Sequence, residues 1–174
     1  MQAIDLGLSV KWSDRNWGAY SPTDIGERCA WAELTSKNSY TWENYKYWVS
    51  SEKFGPFLEN HFSRIIYSIE PCDDAITYRY GTPWRIPTAT EFQELIDKCR
   101  WVKTKENGKA GFRIYGNNGN SIFLLTEGVE HYWSATRMKK PQHAKVLDIH
   151  YSKVQMFYRA RFYGFNLRGV CDYE

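Results

Sequence analysis

The stretch Trp84-Arg85-Ile86-Pro87-Thr88-Ala89-Thr90-Glu91-Phe92-Gln93-Glu94-Leu95-Ile96 constrains this chain more than any other. Pro87 disfavours helical backbone at Ile86, so the chain must arrive extended. Thr88 then suits an N-cap, and Glu91, three residues on, completes a capping box. Phe92, Leu95, Ile96 and Cys99 fall at i, i+3, i+4 and i+7, an apolar stripe that needs a core to face. Lys98 and Arg100 lie where the dipole of a last turn favours positive charge. The spacing predicts a helix over about residues 89–100.

Other segments read around this helix. Phe57, Leu58, Phe62, Ile65, Ile66 and Ile69 recur at near-helical spacing after Pro56 and predict a second helix over about residues 56–68. Leu8, Val10 and Trp12 alternate with Ser9 and Lys11, a strand signature over 8–12. Residues 13–27 carry Gly18, Pro22 and Gly26 and read as loop, with a short strand at 29–33. Residues 34–55 have no clean period and read as an ordered loop pinned by Tyr40, Trp42, Tyr45 and Trp48. Residues 105–109 read as a turn. Strands are predicted at 112–115 and 121–125, joined through an Asn-Gly pair at 118–119, a strong hairpin signal. Four more are predicted at 132–136, 144–150, 153–159 and 165–170, with Tyr151-Ser152 as a tight turn. Helices early and strands late predict an α+β fold with an antiparallel sheet. No linker or repeat divides residues 1–174, so one domain is expected.

Aromatic content is 17%, with 8 Trp and 13 Tyr among 174 residues. Rings at that density serve a core, a recognition surface, or both. Net charge is only +3, which gives no basis for a nucleic-acid partner. No apolar run reaches the roughly 20 residues of a membrane span. Cys29, Cys72, Cys99 and Cys171 allow three pairings, and spacing does not choose among them; four free thiols is the preferred reading.

Residues with chemical potential are few. His61, His131, His143 and His150 stand apart, with no HxH or HExxH pair, so no metal and no cofactor is expected. Asp73 and Asp74 read as one turn cap or partner of Arg85 and one solvated carboxylate. Trp84 is expected to pack under the start of the helix, and Arg85 to hold a carboxylate or a strand end. The segment from Lys153 to Tyr163 is richer. Strand parity assigns Val154 and Met156 to a core and turns Gln155, Phe157 and Arg159 outward. Arg161 and Tyr163 follow in a loop, and Gly164 would permit the turn back. All of Phe157, Arg159, Arg161 and Tyr163 are expected to be at least partly exposed, since an unpaired buried guanidinium is too costly. They form a cluster of hot-spot residue types; the alternative is an aromatic sheet face covered by residues 34–55.

Asp73-Asp74-Ala75, Gly81, Trp84-Arg85-Ile86-Pro87-Thr88 and Glu91-Phe92 resemble the central motif of the Fibrobacter major paralogous domain, a family of mostly surface proteins abundant in gut Bacteroidetes. Asp5 to Trp12, Ser21-Pro22 with Ala30-Trp31-Ala32-Glu33, and Tyr40 to Tyr45 resemble its earlier blocks. Asn117 to Leu124, Tyr132 to Thr136 and Gly164 to Val170 resemble its closing portion. The segment at 56–68 departs from the family pattern. The resemblance implies a C-type-lectin-like fold, related to formylglycine-generating enzymes, with two helices packed on antiparallel sheet and long ordered loops. Calcium-dependent sugar binding in such folds needs a Glu-Pro-Asn type tripeptide and a Trp-Asn-Asp. Here Glu70-Pro71 is followed by Cys72, and Trp133 by Ser134-Ala135, so that site is not supported. The histidine triad of iron-dependent relatives is absent, and Cys171 has no nearby cysteine in sequence to make the reactive pair.

In lectin-fold proteins diversified by retroelements, variable residues lie between a Trp-Ser block and the last strand. That interval here runs from Trp133 to Phe165 and holds Arg137, Lys139, Gln142, His150, Tyr151, Gln155, Phe157, Arg159, Arg161 and Tyr163. Met138, Lys139, Lys140 and Gln142 depart from the Asn, Ser, Tyr and Asp that adenine-directed mutation leaves. The expected function is a non-enzymatic binding module, exported to the cell surface or beyond, with its signal sequence trimmed because Met1 leads almost directly into the first strand motif. Arg137, His150, Tyr151, Gln155, Phe157, Arg159, Arg161 and Tyr163 are the candidate contacts for a glycan or protein ligand. The alternatives are a phage-tail or fimbrial adhesin module and a degenerate relative of the formylglycine-generating enzymes.

Overall fold

A computed structural model of the chain describes residues 1–48, 66 and 68–173. It is a mixed α+β fold, mostly sheet, with two helices among the described residues. The helix predicted at 56–68 lies almost wholly outside them; of its described residues, Ile66 is buried and Ser68 bridges Thr136.

The helix α2, Ala89–Lys98, starts as its sequence dictates. The Thr88 hydroxyl accepts from the Glu91 amide at 3.2 Å, and the Glu91 carboxylate accepts from the Thr88 amide at 2.7 Å. Phe92 and Leu95 are fully buried. Arg85 donates twice to Glu91 and once to Asp172, so it holds carboxylates and ties the helix start to the C-terminus. Thr88→Ala is expected to cost about 1 kcal/mol through the lost cap. An unchanged urea midpoint would refute that role.

A shorter helix, α1, Ala75–Tyr80, follows a 3₁₀ turn at Pro71–Asp73. Its run of β-branched and aromatic residues gives no helical stripe, so periodicity does not reveal it. Asp74 creates it from outside: one carboxylate oxygen accepts from the amides of Ile76 and Thr77, the other from that of Ile86. Burial pushes the Asp74 carboxyl up despite these bonds. The expectation of one solvated carboxylate is therefore corrected. Asp73 is also buried, accepting from the Tyr47 hydroxyl at 2.7 Å.

The strands form three sheets. β2, Lys11–Asn16, lies between β1, Ala3–Ile4, and β11, Arg168–Cys171, and pairs antiparallel with both. The first long strand thus begins at Lys11, later than predicted, although Leu8, Val10 and Trp12 are all buried. β4, Arg100–Glu106, β5, Lys109–Tyr115, and β6, Ser121–Leu125, form a meander. β4 starts two residues after α2 ends, where a longer helix was expected. Asn107 and Gly108 both take positive φ, as a tight type I′ turn requires.

The third sheet has the order β3-β10-β7-β8-β9. Its members are β3, Arg28–Cys29, β7, Val129–Arg137, β8, His143–His150, β9, Lys153–Ala160, and β10, Phe165–Asn166. The predicted strand at 29–33 shrinks to β3, and the one at 165–170 splits at Leu167 into β10 and β11, which join different sheets. β10 runs parallel to β7, so the sheet is not purely antiparallel. One face of this sheet carries Tyr132, Leu147 and Ile149 onto Phe92 and Leu95 of α2. The other carries Trp133, Ala144 and Val146 onto Trp31, Tyr45 and the loop that follows β3. None of the four cysteines forms a disulfide.

Candidate functional site

Register decides what the second face offers. His131 of β7 pairs with Asp148 of β8, which pairs with Gln155 of β9. Opposed residues in a sheet share a face, so these three form one row. Asp148 is almost completely buried, and it is held from all sides. His131 Nε2 lies 2.9 Å from its Oδ1. Gln155 donates to Oδ2 at 3.1 Å, and Arg159 to Oδ1 at 3.1 Å. Arg159 reaches that oxygen by lying over the Phe157 ring, 4.8 Å from its centroid. The His131 ring stacks on Phe165 at 4.6 Å, and Phe165 stacks on Tyr163 at 5.6 Å.

The described part of the loop after β3, residues 30–48, packs on one end of this face. Trp31 Nε1 donates to the Ser134 carbonyl at 2.8 Å, and the Tyr45 hydroxyl to the Trp31 carbonyl at 2.9 Å. Farther along the face, Phe157 is 41% and Tyr163 44% exposed. Parity is therefore right for Gln155, Phe157 and Arg159, with Val154 and Met156 packed against the second cluster.

Arg161 is a correction. It is fully buried rather than partly exposed. The strand ends at Ala160, so alternation stops there. The guanidinium packs over Trp31 at 4.6 Å and Tyr45 at 5.3 Å and donates to the Pro141 carbonyl at 3.0 Å. Aromatic faces and a backbone carbonyl are thus among the groups that accompany this guanidinium into the core. Gly164 is needed for close approach: a Cβ there would overlap the Tyr40 ring.

Of the other candidates, His150 lies on the open face at its hairpin end, with Tyr151 on the turn beside it, 61% exposed. Tyr151 takes positive φ there. Arg137 lies at the opposite end of β7, across from Ala144. The structure thus unites Gln155, Phe157, Arg159 and Tyr163, and adds His131, Asp148 and Phe165, which the sequence reading did not single out. Asp148 carried a signal. It shares the parity of the buried Ala144 and Val146, a position where a carboxylate needs partners.

Burial pulls the His131 pKa down, with Arg159 acting in the same direction against Asp148. A histidine with a depressed folded pKa binds fewer protons than the unfolded chain, so this group stabilises above its ordinary value of 6.5 and loses stability as pH falls below it. His131→Asn is expected to reduce the loss of stability between about pH 7.5 and about pH 5.5. Urea denaturation at both values tests this, and an unchanged difference refutes it.

Among the described residues, no three His, Cys, Asp or Glu side chains gather as a metal site requires. No described helix is long and apolar enough to cross a membrane. The arrangement is an α+β scaffold presenting an aromatic and cationic patch on a rigid sheet. Comparison with protein-family models, curated proteins and solved structures finds no match.

Proposed function

We propose that this chain is a non-enzymatic binding module, exported and surface-acting, with a C-type-lectin-like fold of the Fibrobacter major paralogous kind. Its ligand docks on the open half of the β7-β8-β9 face, and a protein surface fits that face better than a lone sugar. The observation that carries this is the exposure of Phe157 and Tyr163 around Arg159, whose guanidinium is aimed by buried Asp148. Exposed rings beside an arginine on rigid strands are the residue types that dominate protein interfaces. Aromatic side chains also lose little conformational freedom on binding.

The test is a binding screen of the immobilised chain against purified host extracellular proteins, bacterial surface proteins and glycans. Phe157→Ala and Tyr163→Ala are each expected to weaken a true partner by about 1–3 kcal/mol. Both side chains are substantially exposed, so melting temperature should barely move. Arg159→Ala should weaken binding too, but it also strips a donor from a buried carboxylate and lowers stability. A partner indifferent to Phe157 and Tyr163 would sink the proposal.

A further inference from the structure

A second concavity lies on the other side of the five-stranded sheet. Glu130 pairs with Ile149, and Arg28 with Asn166, itself level with Tyr132. Ile149 and Tyr132 belong to the cluster under α2, so Glu130 and Arg28 share the face opposite Asp148. Here the loop between β2 and β3, the start of β5 and the loop after β6 enclose a cavity of about 640 Å³, lined by Tyr20, Arg28, Lys109, Glu127 and Glu130 among others. That volume lies within the range of small-molecule sites.

Glu130 is 6% exposed at the wall of this cavity. Its bonds are long: Arg28 Nη2 reaches its two oxygens at 3.2 and 3.3 Å, and the His131 amide reaches Oε1 at 3.4 Å. A carboxylate has about four acceptor positions, so acceptor capacity remains. Burial pushes the Glu130 carboxyl up, with Arg28 acting in the opposite direction. The Arg28 side chain is half exposed, lines the cavity and uses one nitrogen of its fork on Glu130. Tyr20 stands at the rim, 90% exposed, yet its backbone is held: its amide donates to Asp24 at 3.2 Å, and its carbonyl accepts from Arg15 at 2.5 Å.

We propose that this cavity binds a neutral pyranose sugar. One hydroxyl would donate to Glu130 while its neighbour accepts from Arg28, and the apolar face of the ring would lie on Tyr20. A carboxylate beside a guanidinium matches a vicinal diol, which offers a donor and an acceptor at that spacing. Other ligand charges fit less well. Glu130 and Glu127 already face cations, Arg28 at 3.2 Å and Lys109 at 3.6 Å, so an amine would meet like charge. Glu127, Glu130 and Asp24 line the cavity and oppose an anion. This site is independent of the face assigned above to a protein partner.

The test is titration of the intact chain with methyl glycosides of glucose, galactose and mannose, with lactose and maltose, followed by NMR chemical-shift changes. Glucosamine and glucuronate serve as charged counterparts. At least one neutral sugar is expected to saturate and to perturb residues of the loop between β2 and β3. Glu130→Gln should weaken it by about tenfold. Tyr20→Ala should weaken it several-fold without touching stability, and it decides the matter if the Glu130 variant does not fold. Phe157→Ala should change nothing, which separates this site from the other face. Three results would overturn the proposal: no saturable neutral sugar, tighter binding of either charged counterpart, or binding indifferent to Tyr20→Ala.

Discussion

Arg168→Met is expected to lower stability by about 3–5 kcal/mol. Arg168 is fully buried. Its guanidinium donates to the Ser13 carbonyl at 3.0 Å, to Asn16 Oδ1 at 2.9 Å and to the Phe123 carbonyl at 2.9 Å. One side chain on β11 thereby ties β2 to β6, joining two sheets. Burial pulls its pKa down to about 10, so it remains charged at neutral pH. Its hydrogen bonds at these distances all go to neutral acceptors, and the Asp14 carboxylate acts on it from farther away. Methionine fills much of the volume but leaves those acceptors buried and unpaired, and each such loss costs about 1–3 kcal/mol. Arg168→Lys should also be costly, because a single ammonium cannot reach three acceptors along a planar fork. Urea denaturation followed by tryptophan fluorescence gives the measurement. A change under about 1 kcal/mol for the methionine variant would show that the acceptors find other partners.

Trp133→Ala is expected to cost about 3–5 kcal/mol, the range for removing a large aromatic side chain from a core. Trp133 is fully buried, packs on Phe165 at 4.9 Å, and donates to the carbonyls of Cys29 at 3.0 Å and Tyr163 at 3.2 Å. Those two bonds hold β3 and the turn before β10 against β7. Loss of the ring should therefore loosen Tyr163 and Phe165 and weaken any partner bound on the open face. Trp133→Phe separates the two roles, because it keeps most of the apolar contact and drops both bonds. A smaller loss of stability with a comparable loss of binding is expected. Equal stability loss for both variants would assign the whole effect to the hydrogen bonds.

How far each element was legible follows from the distance over which its information is carried. The Thr88 cap, the stripe of α2 and the hairpins at 107–108 and 118–119 are local, so a few neighbouring residues suffice. Strand parity was legible for the same reason, and it correctly separated Val154 and Met156 from Gln155 and Phe157. α1 was not legible, because its cap depends on a carboxylate shared with Ile86, beyond the helix itself. β4 was masked by a basic segment that suits a helix end as well as an edge strand.

The candidate site divides along the same line. Sequence by itself determined that Phe157 and Arg159 share a face, since alternation is a property of one strand. Only the tertiary structure decided that His131, Asp148 and Gln155 form one row, because register between strands is set by packing over the whole sheet. It also decided the fate of Arg161, whose guanidinium packs over Trp31 and Tyr45, residues more than a hundred positions earlier in the chain. A charge can be buried only where partners converge on it, and that convergence exists only once the chain has folded.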